Sequence, residues 1–569
     1  MLLVFGPRST TYDFGPGHPL TPRRFGPAID LLRALGAEPG LEPRPASDEE
    51  LRWSHSRRYI DTVKRFSEAP YGWAEAGIGE GGDDPPFAGM HEAAATVAGG
   101  SIRAMEAILR GDVEHAFHPG GGLHHAMRDR ASGFCIYDDV ALAIARARLD
   151  GLRVLYLDFD VHHGDGVQAI HWNDPGVMTF SIHESGRYLF PGTGGVGELG
   201  VGVAAGTAVN LPLEPLTGER AWLPAVEAII PELAAAFGPD LVVSQHGADS
   251  HAWDPLAHLN MTTTAMGGAA RLVDAIAHRH ADGRWLATGG GGYDAYRVVP
   301  RSWSLVWLAG AHREVPASTP VAWRETWAPE GARYGQTPPP EAFTDPPNAG
   351  EPFDGAQDAA DERSAAVAGL VRRVAVPRLV REARDRGWWD PLERVHGAVP
   401  AGVPAPASGA PAILPAVDAA TWSRLTVAPR VVSPADAAGA HAIVAAGLQT
   451  ASLHVSAAVV GDAVVALAVS LATAASTQGE LLALGVAPGW RQRGFAGKVL
   501  AAHVDALPEG QEIVAEVTVA ERDPFDPIDG HVRRDLARRM LERAGFMATP
   551  ADTAVRATDP DTVTAVLRR

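Results

Sequence analysis

Between Asp158 and Gly166 the chain reads Asp-Phe-Asp-Val-His-His-Gly-Asp-Gly. Acids and histidines this dense suit metal ligation or proton transfer, and they exceed what capping a helix requires. While the backbone stays extended its side chains alternate, so Asp158, Asp160 and His162 fall on one side of it. Asp-x-His at a strand terminus is then a ready pair of ligands. The plainer reading is a polar loop in which Asp165 caps the next helix. A third ligand comes further on, where the apolar run Leu241–Ser244 leads into Gln245-His246-Gly247-Ala248-Asp249 and sets Asp249 beyond a second strand end. Asp160, His162 and Asp249 make three protein ligands with an open position, the arrangement of a catalytic rather than a structural zinc site. An oxygen-rich set equally suits Fe2+ or Mn2+.

Upstream, Pro119-Gly120-Gly121-Gly122-Leu123-His124-His125 sets two adjacent imidazoles behind a glycine turn. Histidine is the side chain that moves protons near neutral pH. Such a pair alone is more often structural, but Asp158 and Asp165 remain free to orient these rings. Gly289-Gly290-Gly291-Gly292-Tyr293 would bring a phenol to the same place. Phosphate cradling is the rival use of those glycines, but no Lys-Ser/Thr follows, so a P-loop is excluded.

These side chains need strands to present them. Val154–Leu157, Leu241–Ser244 and Trp285–Thr288 are continuous apolar runs, of the kind buried on both faces of a parallel sheet. Helical stretches such as Ala221–Phe237 and Met266–Arg279 lie between them. The alternation predicts an α/β fold with a doubly wound parallel sheet, whose ligands gather beyond the carboxyl ends of the strands. A polar, Pro-rich stretch from Gln336 to Asp361, flanked by tryptophans, reads as a long surface excursion of the same domain.

At 569 residues the chain exceeds one such unit, since domains average roughly 150 residues. Residues 397–415 are rich in proline and alanine, cannot bury a core and read as a linker. They divide the chain into a domain over 1–396 and a smaller α/β unit over 416–569. All nine tyrosines lie between Tyr12 and Tyr334, before that linker. Lys+Arg 49 against Asp+Glu 68 leaves a net charge of −19, which excludes a non-specific nucleic-acid binder. Cys135, the single cysteine, can form neither an intrachain disulfide nor a cysteine zinc site. The apolar start at Met1 is too brief for a signal peptide, and no apolar run reaches the length of about 18 residues that spans a membrane. A cytoplasmic protein with no membrane partner is expected.

Taken in order, these motifs resemble the histone deacetylase superfamily, and in particular its bacterial acetoin-utilisation branch. The likeness covers about residues 1 to 395. It rests on Phe14-Gly15-Pro16-Gly17-His18-Pro19, the stretch Asp83 to Met90, Gly120 to His125, Ser132 to Cys135, Asp158 to Gly166, Phe190 to Gly194, Asp249, and Gly289 to Tyr293. The resemblance implies an arginase-like α/β fold and zinc held by Asp160, His162 and Asp249, with Fe2+ as the alternative. It implies an acetyl-lysine tunnel walled by Gly133, Phe134, Phe190 and Leu256, with Asp83 at the rim, and a structural K+ near Asp158, Asp160, His162 and Ser181. His125 paired with Asp165 would take a proton from the attacking water. His124 paired with Asp158 would stay protonated or assist the leaving amine, and Tyr293 would donate to the oxyanion. Leu123 stands where histone-directed members carry glycine, and Asp138 where asparagine is usual. Acetylated protein lysines, such as those of acetyl-coenzyme A synthetase, or small acetylated amines such as acetylpolyamines are the expected substrates; Glu80, Asp83 and Asp84 keep the polyamines in view. An arginase-like binuclear site would need an Asp-x-Asp pair on the later strand, where Asp249 is instead followed by Ser250-His251. Oligomeric state is not legible.

Beyond the linker, Ala463–Leu471, Glu480–Val486 and Glu512–Val519 are strand-like. Arg491-Gln492-Arg493-Gly494-Phe495-Ala496 then resembles the acetyl-coenzyme A loop of the GNAT N-acetyltransferases, where helix N-terminal amides meet a pyrophosphate. Leu541 to Phe546 is similar to that family's late helix-to-strand junction. The resemblance implies that Val486 and residues Arg491 to Ala496 bind acetyl-coenzyme A. A tyrosine that many GNAT enzymes use as acid, near the position of Leu541, is absent, so binding is expected to outlast catalysis.

Overall fold

In the computed structural model of the chain the three apolar runs are strands, Val154–Asp158, Leu241–Gln245 and Trp285–Thr288. The two helical stretches lie within helices Glu219–Phe237 and Thr263–His280. The structure describes residues 1–346, 355–385, 411–427, 431, 444–449, 453–460, 462–471, 478–486, 495–507, 512–518, 541–548 and 562–568. Two compact units emerge, residues 1–234 with 239–379, and residues 380–569 with 235–238.

In the first unit the strands are β1 (Leu2–Val4), β2 (Pro39–Leu41), β3 (His115–His118), β4 (Val154–Asp158), β5 (Val177–Glu184), β6 (Ala208–Leu213), β7 (Leu241–Gln245) and β8 (Trp285–Thr288). They form one sheet in the order β2-β1-β3-β8-β7-β4-β5-β6, and every neighbouring pair is parallel. On β3, Ala116 joins Met105 and Ile108 of helix Met90–Leu109 and Val140 and Ile144 of helix Asp139–Leu149 in one apolar cluster. The next residue, Phe117, turns its edge to Trp303 of helix Val299–Gly310, with centroids 6.5 Å apart. Successive strand residues point to opposite faces, so helices cover both sides, and the strands can be apolar throughout. The loops bearing the candidate residues follow β3, β4, β7 and β8. In the sheet these are the four central neighbours, β3-β8-β7-β4.

The Pro-rich stretch after Gln336 is a surface excursion only in part. Phe343 and Asp345 are buried, and the Asp345 carboxylate accepts from Arg301 Nη1 at 2.6 Å, His251 Nε2 at 2.9 Å and Thr263 Oγ1 at 2.7 Å. A buried guanidinium needs a partner, and this segment supplies it. Among the described residues no helix is long and apolar enough to cross a membrane.

The second unit carries a mixed sheet of β9 (Ala412–Leu414), β10 (Thr426–Val427), β11 (Leu453–Val460), β12 (Ala463–Leu471), β13 (Gln478–Val486), β14 (Glu512–Thr518), β15 (Met547–Ala548) and β16 (Thr562–Arg568). The three expected strands are β12, β13 and β14. Composition placed Ala412–Leu414 in the linker. They instead pair with β11, because Ile413 and Leu414 pack on the apolar core of this unit despite the prolines around them. Residues 397–410 of the expected linker lie outside the described residues.

Candidate active site

Strand β4 ends at Asp158, so period-two alternation does not align the residues after it. Backbone bonds to the acids do. Asp160 N donates to Asp158 Oδ1 at 3.1 Å and His162 N to Asp160 Oδ1 at 3.0 Å, successive Asx-type turns that curl the loop. His162 Nδ1 comes to 3.0 Å from Asp160 Oδ1 and 3.3 Å from Asp249 Oδ2. One ligand atom from each of the three lies within 4.8 Å of the others. Gln245 Nε2 and Gly291 N donate to Asp160 Oδ2 at 2.7 and 2.9 Å, and Val161 N donates to Asp249 Oδ1 at 3.0 Å. Asp249 Oδ2 is buried without any hydrogen bond. Two adjacent carboxylates, 1% and 0% exposed, with an orphaned oxygen turned to an imidazole, fit a divalent cation, since buried charge is costly when unpaired. A Cβ at Gly291 would stand 1.9 Å from Asp249 Oδ2, so glycine is what lets the β8 loop close on these acids.

The two histidines after β3 each face one acid. His124 Nδ1 donates to Asp158 Oδ2 at 2.7 Å, an oxygen that also accepts from Tyr156 OH at 2.6 Å. His125 Nδ1 donates to Asp165 Oδ1 at 2.6 Å. Asp165 is therefore no helix cap: it opens the helix Asp165–Ile170, whose N-cap position is Gly164 with no side-chain bond. Asp139 secures the turn before the pair, accepting from Gly122 N at 3.0 Å and Leu123 N at 2.7 Å. Gly122 has φ +96°, and a Cβ there would meet Gly290 N at 2.7 Å. Burial works against charge on both rings. At His124 the fields of Asp158, Asp160 and Asp165 win and raise the pKa to about 10. At His125 burial and the His124 charge outweigh Asp165 and lower it to about 4. A cationic ring thus sits beside a neutral one, centroids 4.1 Å apart.

Tyr293 is set by Asp254, whose Oδ2 accepts from Tyr293 N at 2.8 Å while Oδ1 accepts from Leu256 N at 3.0 Å. Arg24 Nη1 donates to Gly290 O at 2.7 Å and pins the same loop. Desolvation, then the charges of Asp249, Asp160 and Asp254, push the Tyr293 phenol well above its ordinary pKa, so it keeps its proton. Phe190 stands edge-on to His125 at 5.0 Å, and Phe134 edge-on to Tyr293 at 6.1 Å. Gly133 lies so close that a Cβ would reach 2.5 Å from His125 Cδ2. Leu256 is half-buried and Asp83 exposed. The Asp83 carbonyl accepts from His18 Nε2 at 3.2 Å, and the His18 ring lies 4.6 Å from Phe134, which ties Asp83 to the aromatic wall.

Gln245, Asp254, Arg24, Tyr156 and Asp139 carry no local signature, and the sequence reading missed their roles. Asp138 caps the helix Asp139–Leu149 through Ala141 N at 2.7 Å, a task asparagine performs equally. Ser181 pairs in register with Asp158 across β5 and β4, and its hydroxyl bonds His183 Nδ1 at 2.8 Å. In the second unit Val486 ends β13, and Phe495 and Ala496 open the helix Phe495–Ala506; Arg491, Gln492, Arg493 and Gly494 lie outside the described residues.

A family model described as the histone deacetylase domain matches residues 18–309, just over half of the chain. The chain belongs to the histone deacetylase family, and with it to the deacetylase class of hydrolases. Among individual proteins it is similar to the acetoin utilization protein AcuC of Bacillus subtilis (strain 168), 44% identical over 333 residues, covering 57% of this chain and 86% of that one. The AcuC protein of Staphylococcus xylosus is 36% identical over 334 residues, with the same coverage. A solved structure, an HDAC homologue complexed with SAHA, aligns with TM-score 0.54 and 27% identity over 64% of this chain and 99% of its own. These matches bear out the α/β, deacetylase-like fold.

Proposed function

We propose that the first unit hydrolyses the acetyl amide of acetyl-lysine, with metabolic proteins such as acetyl-coenzyme A synthetase as substrates. The carrying observation is the meeting of Asp160, His162 and Asp249 beside His125, whose ring lies 5.8 Å from that of His162. Zn2+ or Fe2+ held by those three would polarise the acetyl carbonyl and acidify a water. His125, neutral and oriented by Asp165, accepts the proton of the attacking water. Tyr293 OH donates to the carbonyl oxygen as negative charge gathers there. His124, cationic and anchored by Asp158, offsets that charge and hands a proton to the departing amine. The lysine methylenes run along Phe134, Phe190, Gly133 and Leu256, and Asp83 takes the substrate backbone at the rim. A K+ near Asp158, Asp160, His162 and Ser181 belongs to the same reading.

Acetylpolyamines would favour an acidic rim of Glu80, Asp83 and Asp84. Asp84 is 2% exposed, and burial with the nearby Asp83 charge pushes its pKa to about 8, which weakens that rim and favours lysine. A ureohydrolase would call for an Asp-x-Asp pair on this strand, where Asp249 is followed by Ser250-His251. The deciding experiment offers acetyl-lysine peptides, acetylated proteins and acetylpolyamines to the zinc-loaded full chain. Turnover on acetyl-lysine that vanishes in Asp249→Ala is expected. Preference for polyamines overturns the substrate, and unchanged activity in Asp249→Ala overturns the site.

For the second unit we propose acetyl-coenzyme A binding with slow or no transfer. Strands β13 and β14 are parallel, and their pairing stops at Leu481–Ala515 although both run on. The helix Phe495–Ala506 follows the Arg491–Gly494 motif in sequence, and its N-terminal amides would favour an anion. Leu541, where a tyrosine acid would be expected, is buried in an apolar cluster. Calorimetry of the full chain with acetyl-coenzyme A, beside Arg491→Ala and a thiol-release assay, tests this. Binding lost in Arg491→Ala without thiol release is expected; no binding, or rapid release with an amine, overturns it.

A further inference from the structure

His115, Asp274, His278 and His312 form a cluster with no part in the deacetylase site. We propose that they are a second metal site, structural and suited to zinc, at the amino end of the first unit's sheet. His115 is the first residue of β3, and His124 and His125 follow that strand's other end. Asp274 and His278 stand one turn apart on helix Thr263–His280, and His312 follows helix Val299–Gly310.

The three imidazoles converge through one atom type. His278 Nε2 lies 3.1 Å from His115 Nε2 and 3.0 Å from His312 Nε2. Asp274 Oδ1 lies 3.1 Å from His312 Nε2 and 3.5 Å from the other two, and all four atoms fall within 4.8 Å of one another. Ligands about 2.0–2.2 Å from a tetrahedral zinc stand roughly 3.3 Å apart, which matches these separations. Hydrogen bonding alone does not satisfy the arrangement. Each neutral Nε2 offers one hydrogen or one lone pair, so His278 Nε2 cannot serve two imidazoles and a carboxylate at once. A cation at the centre accepts a lone pair from all four.

The backbone gives a second, independent observation. His312 has φ +53°. It occupies the left-handed position of a helix-terminating turn in which His312 N donates to Ala309 O at 3.0 Å and Arg313 N to Leu308 O at 2.9 Å. Glycine is the usual residue there. A histidine in its place carries strain that glycine would not, and the turn delivers its imidazole to the other two. Side-chain exposure rises from 3% at His115 through 19% at Asp274 and 39% at His278 to 52% at His312, so an ion enters from solvent. Four protein ligands leave no open position, which marks the site as structural. It would clamp the start of β3 to two helix ends.

Equilibrium dialysis of the metal-freed full chain against Zn2+, read by elemental analysis, tests the site. The wild type should take up one equivalent more than His312→Gly, and Asp249→Ala, aimed at the other site, should retain that equivalent. Because glycine suits the turn, metal-free His312→Gly should melt no lower than the wild type, which separates ligand loss from unfolding. Added Zn2+ should then raise the Tm of Asp249→Ala but not of Asp249→Ala/His312→Gly. Equal zinc uptake by wild type and His312→Gly, or an equal Tm response in the two Asp249→Ala proteins, would overturn the proposal.

Discussion

The Asp254 carboxyl accepts the backbone N–H of Tyr293 at 2.8 Å, and its other oxygen accepts that of Leu256 at 3.0 Å. One buried side chain from the loop after β7 therefore sets both the phenol expected to meet the oxyanion and an expected wall of the tunnel. Asp254→Ala should lower kcat by about 10- to 100-fold, since misplacing a catalytic group by about 1 Å is that costly. Steady-state kinetics should show the loss chiefly in kcat, with a smaller rise in KM from the displaced Leu256; an unaltered kcat would remove Asp254 from this role.

Tyr293 itself keeps its proton because desolvation and three nearby acids oppose its ionisation. Tyr293→Phe removes the donor and leaves the ring. A fall of about 10²- to 10³-fold in kcat is expected, with circular dichroism and Tm unchanged. Near-wild-type turnover would transfer oxyanion stabilisation to another group.

Asp160, His162 and Asp249 leave a buried carboxylate oxygen without a donor. A chelator should therefore abolish deacetylation, and Zn2+ or Fe2+ should restore it in the wild type but not in Asp249→Ala. Activity that survives exhaustive chelation, verified by elemental analysis, would contradict a metal-dependent reaction.

Asp345 reports on stability rather than chemistry. Burial alone would raise its pKa, but the hydrogen bond from His251 and the charge of Arg301 hold it well below the usual carboxylate range. An acid depressed in this way stabilises the fold above its unfolded pKa of about 3.9, and the stabilisation is lost as pH falls toward the folded value. Asp345→Ala strands the buried Arg301 and should cost about 3–5 kcal/mol at pH 7. The Tm gap to the wild type should be widest near neutrality and narrow below about pH 4. A gap that does not change with pH would mean the ion pair is not its source.

Several parts of the site were legible because their signal is local. Apolar runs made β4, β7 and β8 readable as buried strands, and the acids and histidines just beyond them were readable as ligands. Asp165 was harder: the same residue type caps helices, and only its 2.6 Å contact with His125 decides between the two uses. The alternation argument pointed to Asp160 and His162, which the structure clusters with Asp249, but by an incomplete route, since the strand stops at Asp158 and side-chain-to-backbone bonds then shape the loop.

Features that depend on neighbours along the chain were already present in the amino-acid order: the α/β class, the strands, and the residue types at their carboxyl ends. Strand order was decided by the tertiary structure alone, because pairing depends on which apolar faces close together over long separations. That order makes β3, β8, β7 and β4 the central neighbours and so brings the candidate ligands, the two histidines and the phenol together. The same reason hid Arg24, Gln245 and Asp254, each an ordinary polar residue until the sheet brings it to a distant loop. It hid the cluster of His115, Asp274, His278 and His312 most completely, since only Asp274 and His278, four apart on one helix, are local neighbours and the packing of β3 against two helix ends brings the other two to them.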